Sequence, residues 1–352
     1  MNIKELLLKT FLVPCLLLAA CTAEDLPGGS EQPVAPGEEG IFTFSLSTGS
    51  HLSVDTRSIS DYSALNDIWV VQLNAAGTAA LVPPRRVTSI TTDKKIRVKL
   101  KAEESKVYFF ANTEKTDLFN TSAALSTFTT ASVEATTISN NNATYWESGR
   151  NYMPMFGTWP ASGTGTPTVP TISGTTELTR VLSRVTVNVT NDTGGKLAIS
   201  GMQLKNIPGV TQLCPSTAAT YPATTVRYYN SSTYTSNSVV YTVAENCRGT
   251  GSGRYETEKT AATVTNGAYA TYYEIKGKYN GAIDVTYRFY LGENLTNDYN
   301  VRRNTQYTVN ITIKGMNQTD MRVTVETKSY STSSNTGITW GDGSSENVDG
   351  TI

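Results

Sequence analysis

The sequence predicts an all-β protein built from two β-sandwich domains in series. Thr, Ser, Asn, Gly and Tyr dominate the composition, which favours strands and turns over helices. Short segments of alternating apolar and polar residues recur between turn-forming clusters, and no βαβ pattern of a parallel sheet is evident. Residues 41–352 exceed what a single hydrophobic core usually organises, so two domains are expected.

The N-terminus has the order of a secretory signal peptide. Lys4 precedes an apolar stretch that ends at Ala20 and is too short to span a bilayer as a stable helix. It closes with Leu18-Ala19-Ala20-Cys21, which resembles the bacterial lipobox, in which the cysteine is acylated. We therefore predict a lipoprotein signal peptide over residues 1–20 and lipidation of Cys21. An ordinary signal peptide that happens to contain Cys is the alternative.

Residues 21–40 are predicted to form a flexible tether, because they are rich in Pro, Gly and acidic residues and nearly lack apolar ones. Such a segment holds a folded body away from a membrane. The pair Glu24-Asp25 beside Cys21 resembles the sorting signal that sends Bacteroidetes lipoproteins to the cell exterior. Solvated linker charge explains the pair equally well.

Charge and residue usage exclude several classes of function. The net charge is −1 and 17% of the residues are charged. No basic stripe is evident, so nucleic acid and anionic membrane surfaces are poor partners. His51 is the one histidine, which excludes chemistry based on histidine. Carboxylates paired in space stay open in principle, with Glu274, Asp284 and Glu293 as candidates. We predict no enzyme activity, no cofactor and no metal site.

Two cysteines remain for the mature body. Cys15 is lost with the signal peptide and Cys21 is committed to lipid, which leaves Cys214 and Cys247. An oxidising periplasm favours a disulfide between them. Two separately buried thiols are the other interpretation, because the sequence does not supply the distance that a disulfide requires.

The first half of the chain contains four segments with strand character. In the first, Phe42, Phe44 and Leu46 alternate with hydroxyl-bearing residues and share one face. The others cover residues 68–73, 95–100 and 107–112. A stretch rich in Gly, Thr and Pro at 161–171 predicts the domain boundary. The N-terminal domain is then 41–165 and the C-terminal domain 172–352.

The second half begins with two apolar segments around a turn. Val185, Val187 and Val189 alternate with polar residues, and the turn at 191–195 leads to a second segment at 197–204, an arrangement that predicts a hairpin. Further strands are predicted at 239–243, 270–277, 283–291, 306–315 and 322–326.

Several blocks of sequence carry a resemblance to a known family. They are Met153-Pro154-Met155-Phe156-Gly157, residues 182–187, residues 241–246, Tyr290-Leu291-Gly292-Glu293-Asn294 and residues 298–307. Together with the lipobox, they resemble the Bacteroidetes fimbrillins, the subunits of type V pili, over most of the mature chain. The resemblance implies two transthyretin-like Greek-key β-sandwiches, a place in a cell-surface fimbria and no catalysis.

The resemblance also implies a route of assembly. In this family an outer membrane lipoprotein precursor is cut by an arginine-specific surface protease after its first strand, and a strand of another fimbrial subunit fills the exposed groove. Arg57 is the only Arg or Lys between Cys21 and Ile68. The expected cut lies between Arg57 and Ser58, so that residues 41–57 form a removable strand and loop. The alternative interpretation is that Arg57 is a solvent-exposed loop arginine with no role in processing.

The expected donor strand is weakly patterned. Near the end of the sequence, Ile338 and Trp340 are the candidate donor residues. The same segment is equally consistent with a terminal strand of the protein's own sandwich, as in a tip or accessory subunit.

Two other functions stay open. One is an uncleaved outer membrane anchor subunit, which would keep the lipid at Cys21. The other is a surface lipoprotein that binds glycans or a host protein through exposed aromatic side chains. The candidates for such a platform are Trp146, Trp159, Tyr228, Tyr229, Tyr234 and Tyr241.

Overall fold

The computed structural model describes residues 32–48, 64–113, 119, 132–134, 152–214, 227–316, 319–327 and 338–339. Cys21, His51, Arg57, Ser58 and Trp340 lie outside the described residues, as does Trp146. Within the described ranges, no helix is long and apolar enough to cross a membrane.

Two sheets form the N-terminal half. Their strands are β1 (Glu39–Ser47), β2 (Ile68–Asn74), β3 (Arg85–Val87), β4 (Lys95–Lys101), β5 (Ser105–Ala111), β7 (Met155–Trp159), β8 (Thr171–Glu177) and β9 (Thr179–Arg180). One sheet has three strands in the order β4-β1-β8, and the other has five in the order β3-β2-β5-β7-β9. The short strand β6 (Ser132–Glu134) pairs instead with a strand of the C-terminal half, β13 (Val210–Gln212).

The two N-terminal sheets pack face to face through aromatic side chains. The ring of Phe44 on β1 lies 5.1 Å from that of Phe109 on β5, measured between centroids. On the opposite face of the five-stranded sheet, the rings of Trp69 and Phe110 contact Phe119 at 5.8 and 4.8 Å. Strands β2 and β5 are therefore covered on both faces, which explains why their sequences are continuously apolar rather than alternating.

The C-terminal half is a second sandwich. Its remaining strands are β10 (Leu182–Asn191), β11 (Leu197–Lys205), β12 (Ile207–Pro208), β14 (Tyr228–Tyr229), β15 (Ser238–Ala244), β16 (Asn246–Thr250), β17 (Tyr272–Tyr279), β18 (Ile283–Tyr290), β19 (Asp298–Val301), β20 (Thr305–Ile313), β21 (Thr319–Thr327) and β22 (Ile338–Thr339). Three 3-10 helices, at Glu256–Glu258, Ala261–Thr263 and Gly267–Tyr269, lie between β16 and β17.

The main sheets of this half run in the orders β15-β10-β20-β21-β22 and β11-β17-β18. Their facing sides meet where the rings of Tyr241 and Tyr273 lie 6.2 Å apart. The all-β prediction is thus confirmed: apart from the three single-turn helices, the regular secondary structure of the described residues consists of strands.

The predicted hairpin between the first two strands of this half is wrong. Strand β10 pairs with β15 and β20, whereas β11 pairs with β17 in the opposite sheet. The turn between them crosses from one sheet to the other, held by the Asp192 N–H donating to the Ile313 carbonyl at 2.8 Å. Alternation identifies the buried face of a strand but not its partner, so it predicted both strands and not their separation.

Residues 161–171 do not divide the two halves as their composition predicts. Strand β8 pairs with β1, and β9 pairs with β7, so the N-terminal sheets continue to Arg180. The change of sheet falls at Val181, whose N–H donates to the Pro154 carbonyl at 3.1 Å. The boundary was misplaced because β8 contains three threonines, a serine and a glycine, and has the composition of a linker.

Candidate strand-exchange groove

Strand β1 is the middle strand of the three-stranded sheet. It pairs antiparallel with β4, where Phe42 lies opposite Val98 and Phe44 opposite Ile96, and parallel with β8 on its other side. Removal of β1 would therefore leave two unpaired strand edges facing each other. We call the space that β1 occupies between β4 and β8 the β1 groove.

The inward side chains of β1 fill this groove. Phe42, Phe44 and Leu46 are 0%, 1% and 4% exposed, so the predicted alternation is confirmed. The ring of Phe44 packs at its edge against Trp159, at 5.8 Å, as well as against Phe109. Burial of each of these side chains contributes roughly 1.5–3 kcal/mol, and together they approach the whole stability of a typical domain. The departure of β1 would therefore expose a strongly apolar groove.

Further hydrogen bonds extend the contact beyond the ends of β1. Before the strand, the Val34 N–H donates to the Thr168 carbonyl and the Gly37 N–H to the Ala102 carbonyl, both at 2.8 Å. After it, Thr48 is buried and its hydroxyl accepts a hydrogen bond from the Lys94 ammonium. Next comes the segment that contains Arg57, which links β1 to β2 along the chain. A cut there would leave β1 joined to the body by these non-covalent contacts.

The outer face of the same sheet carries a row of cations that was not expected. Lys95, Arg97, Lys99 and Lys101 alternate along β4 with the buried residues of that strand. The row was not recognised in the sequence, because period-two spacing keeps the four charges apart along the chain and brings them together in space. The sequence signal for this row is the alternation of cationic and apolar residues in KIRVKLK, residues 95–101.

Acidic neighbours pair with part of this row. The Lys99 ammonium lies 2.5 Å from the Glu39 carboxylate, and the Lys95 and Asp93 groups are 2.6 Å apart. The hydrogen bond and charge of Lys99 lower the pKa of Glu39 below its usual value. Glu39 belongs to β1, so the outer face of the groove already holds one acid against the cations of β4.

The candidate donor segment lies partly in the protein's own fold. The backbone of Ile338 and Thr339 forms β22, which pairs antiparallel with β21 at the edge of the C-terminal sheet. Of the two interpretations, this arrangement matches the terminal strand. The segment therefore completes a sheet of its own chain in this structure.

Cys214 and Cys247 are free thiols, both buried. Burial raises the pKa of each thiol to about 12, and the positive charge of Arg303 opposes the shift at Cys214. The Cys247 thiol faces the Val301 carbonyl, with Sγ and O 3.8 Å apart. Of the two interpretations, the structure has the separately buried thiols.

The aromatic side chains suggested as a binding platform are used in packing. Tyr241 is fully buried, and its ring lies 6.1 Å from that of Tyr234. Trp159 packs on Phe44 in the N-terminal sandwich. Tyr228 stacks on Tyr269 at 5.0 Å. The described members do not form a single exposed surface: Tyr234 packs against the buried Tyr241, while Tyr228 and Tyr229 lie side by side on β14.

The three carboxylates considered for catalysis lie in separate ion pairs. Glu274 is nearly buried and contacts Arg288 at 3.1 Å. The other two pairs are Asp284 with Lys278 at 2.9 Å and Glu293 with Arg302 at 2.5 Å. Each carboxylate thus forms an ion pair with a neighbouring Lys or Arg, an arrangement typical of charges that stabilise a fold.

The block Tyr290-Leu291-Gly292-Glu293-Asn294 is one of those that resemble the fimbrillins. It leads into a loop that is held by close packing and hydrogen bonds. A side chain at Gly292 would place its Cβ 1.9 Å from the carbonyl oxygen of Asp298. The Asp298 carboxylate accepts hydrogen bonds from the backbone N–H groups of Glu293 and Asn300, at 2.8 and 3.0 Å. This block positions the chain between β18 and β19.

Comparisons with known proteins agree with this architecture. A family model described as a domain of unknown function (DUF4906) matches residues 240–311. No curated protein sequence matches the chain. Among solved structures, the C-terminally truncated tip fimbrial protein Mfa3 of Porphyromonas gingivalis is similar at a TM-score of 0.55 and 13% identity, covering 82% of this chain and 99% of that one.

Two other solved structures extend the comparison. A candidate cell adhesion protein of Bacteroides eggerthii has a TM-score of 0.55 and 15% identity, covering 83% of this chain and 96% of its own. The fimbrilin FimA of Porphyromonas gingivalis has a TM-score of 0.50 and 13% identity, covering 81% and 96%. The chain therefore has a fimbrillin-like, all-β fold across both halves.

Proposed function

We propose that this protein is a structural, tip or accessory subunit of a type V fimbria. It is delivered to the outer membrane as a lipoprotein through Cys21 and assembled by cleavage between Arg57 and Ser58 followed by strand exchange. The observation that carries the proposal is the position of β1, a central strand whose apolar face fills a groove between two strands that come later in the chain. The fimbrillin-like fold supports it.

Cleavage would change the role of the lipid. Cys21 and β1 both precede Arg57, so hydrolysis of the bond after Arg57 separates lipid and first strand together from the body. The groove left behind exposes apolar surface and two strand edges, and a strand from another subunit restores both the burial and the hydrogen bonds. Lipidation then serves delivery to the cell surface, and the fimbria retains the body.

The placement of Ile338 favours a subunit that receives a strand. Its segment pairs with β21 of the same chain, so donating it would first require breaking that pairing. A tip or accessory subunit needs an acceptor groove and no donor strand. The similarity to the fold of a tip fimbrial protein is consistent with this position.

The proposal is tested on the chain from Thr22 onward, treated with an arginine-specific protease. The native protein is expected to yield a body that begins at Ser58. A fluorescent peptide copying residues 39–48 should then replace β1 and stay bound to the body in SDS without heating. The matched control is Arg57→Lys, which keeps the charge and removes the cleavage site.

Two results would contradict the proposal. One is a native chain that stays uncut at Arg57, which leaves the anchor subunit or the binding lipoprotein. The other is a cut chain that keeps its own β1 against a large excess of peptide. In the Arg57→Lys protein neither cleavage nor uptake is expected.

A further inference from the structure

We propose that the cation row of β4 selects the strand that enters the β1 groove. The preferred occupant is a strand of a different chain, with apolar side chains on its inward face and carboxylates on its outward face. This inference rests on the proposed function and adds the chemistry of the partner.

The register of β1 against β4 shows where those carboxylates would lie. The outward residues Ile41, Thr43 and Ser45 stand opposite Lys99, Arg97 and Lys95, in that order. Side chains directly opposite each other on antiparallel strands are close enough to interact. An incoming strand that follows the same register would place its outward side chains against these three cations.

Strand β1 contributes one acid to this row, Glu39, while Lys95 and Lys101 pair with Asp93 and Glu103 beside β4. The outward residues of β1 at these positions are neutral, and Ile41 is 42% exposed beside Lys99. The Glu39 carboxylate, one step before them, reaches the Lys99 ammonium at 2.5 Å, which shows that an outward acid on this strand can form the pair. Arg97 is exposed and has no carboxylate partner within the described part of the chain. An acid at the position of Thr43 would face it.

The tail of a second copy does not fit this pattern. In an extended strand, alternate residues share a face, so Asp342 and Glu346 would point the same way as Ile338 and Trp340. With Ile338 and Trp340 at two inward positions of the groove, Asp342 would take the next inward position. Carboxylates buried in an apolar groove without partners are strongly unfavourable. The tail therefore carries negative charge, but on the inward face of the strand instead of the outward face that would meet the cations of β4.

The test uses the nicked protein, cut at Arg57 with β1 still present, and three peptides based on residues 39–48. All keep the inward Phe42, Phe44 and Leu46. At positions 41 and 43 they carry the native residues, two glutamates or two lysines. The uptake rate and affinity are measured at low and high salt, with a peptide copying residues 336–352 as a fourth arm.

The glutamate peptide is expected to bind on the order of tenfold more tightly than the lysine peptide at low salt, from two cross-strand charge pairs. High salt should reduce this difference, because the pairs are exposed. The variant Arg97→Gln/Lys99→Gln should reduce it too. The control Lys196→Gln/Lys278→Gln, which removes the same charge elsewhere, should leave it unchanged. The tail peptide should not replace β1.

Equal binding of the acidic and basic peptides would overturn the inference while leaving strand exchange intact. A preference that survives in the Arg97→Gln/Lys99→Gln protein would do the same, as would replacement of β1 by the tail peptide. If no peptide of any charge enters, not even the native copy of β1, the proposed function fails and this inference fails with it.

Discussion

Phe44 shows how a single residue links the sequence to the proposed function. Its position in a short alternating segment predicted a buried face, and the structure places its ring between Phe109 and Trp159. The same contacts that stabilise the chain with β1 in place define the site that another strand would fill under the proposed function. The sequence could predict that Phe44 is buried, because alternation reports a face. It could not predict those two partners, because they come from β5 and β7 of the opposite sheet.

Replacing Phe44 by alanine is expected to lower the free energy of unfolding by about 3–5 kcal/mol, from lost burial and the cavity left behind. The control is Thr43→Ala on the outward face, for which a change within about 0.5 kcal/mol is expected. Denaturant unfolding of the uncut chain measures both. Similar values for the two variants would show that β1 contributes little to the core.

The buried thiols give a second prediction at this scale. With pKa values of about 12, Cys214 and Cys247 are protonated in the folded protein near pH 8 and should not react with iodoacetamide. In the chain from Thr22 onward, both should react once the protein is unfolded without reductant. Failure of both to react after unfolding would point to a disulfide instead.

At the scale of elements, strands with a strong local pattern were predictable and their pairings were not. The four strands predicted in the first half correspond to β1, β2, β4 and β5. Strand β8 was missed because its hydroxyl-rich sequence lacks an apolar stripe, although it completes the β1 groove. The turn of the β17–β18 hairpin contains an Asn-Gly pair, which is a sequence signal for a hairpin. Asn280 and Gly281 adopt left-handed φ values of 49° and 73°, as an Asn-Gly pair between two strands suggests.

The loop after β18 provides a test at this scale. Gly292→Ala should lower the free energy of unfolding by about 3 kcal/mol or more, because its Cβ would overlap the Asp298 carbonyl and the loop would have to move. Gly281→Ala is the control. It also has a positive φ but open space around it, so a cost of about 1–2 kcal/mol is expected. Equal costs, measured by thermal or denaturant unfolding, would mean that the close approach at Gly292 is not maintained.

At the scale of the whole molecule, hydrogen bonds join the two sandwiches, whereas a single cut after Arg57 would detach β1 from the rest of the chain. The Arg180 N–H of β9 donates to the side-chain oxygen of Asn304 in the C-terminal half at 3.4 Å, and the Thr211 hydroxyl donates to the Val181 carbonyl, where the sheets change, at 3.1 Å. Strand β1 precedes this junction and meets the body through β4, β8 and the apolar side chains beneath it. Its exchange would change one sheet and leave the C-terminal sandwich as it is.

The most direct test of the proposed role of β1 is amide hydrogen exchange along β4. This strand lies at the edge of its sheet and pairs only with β1 among the described strands, so its amides report whether the groove is filled. We expect them to be protected in the uncut chain, open after cleavage at Arg57 and removal of the released fragment, and protected again when a strand peptide is added. The amides of β20 should stay protected throughout. Loss of protection in β20 together with β4, or a β4 that stays protected after β1 is gone, would contradict the claim that β1 occupies an exchangeable groove.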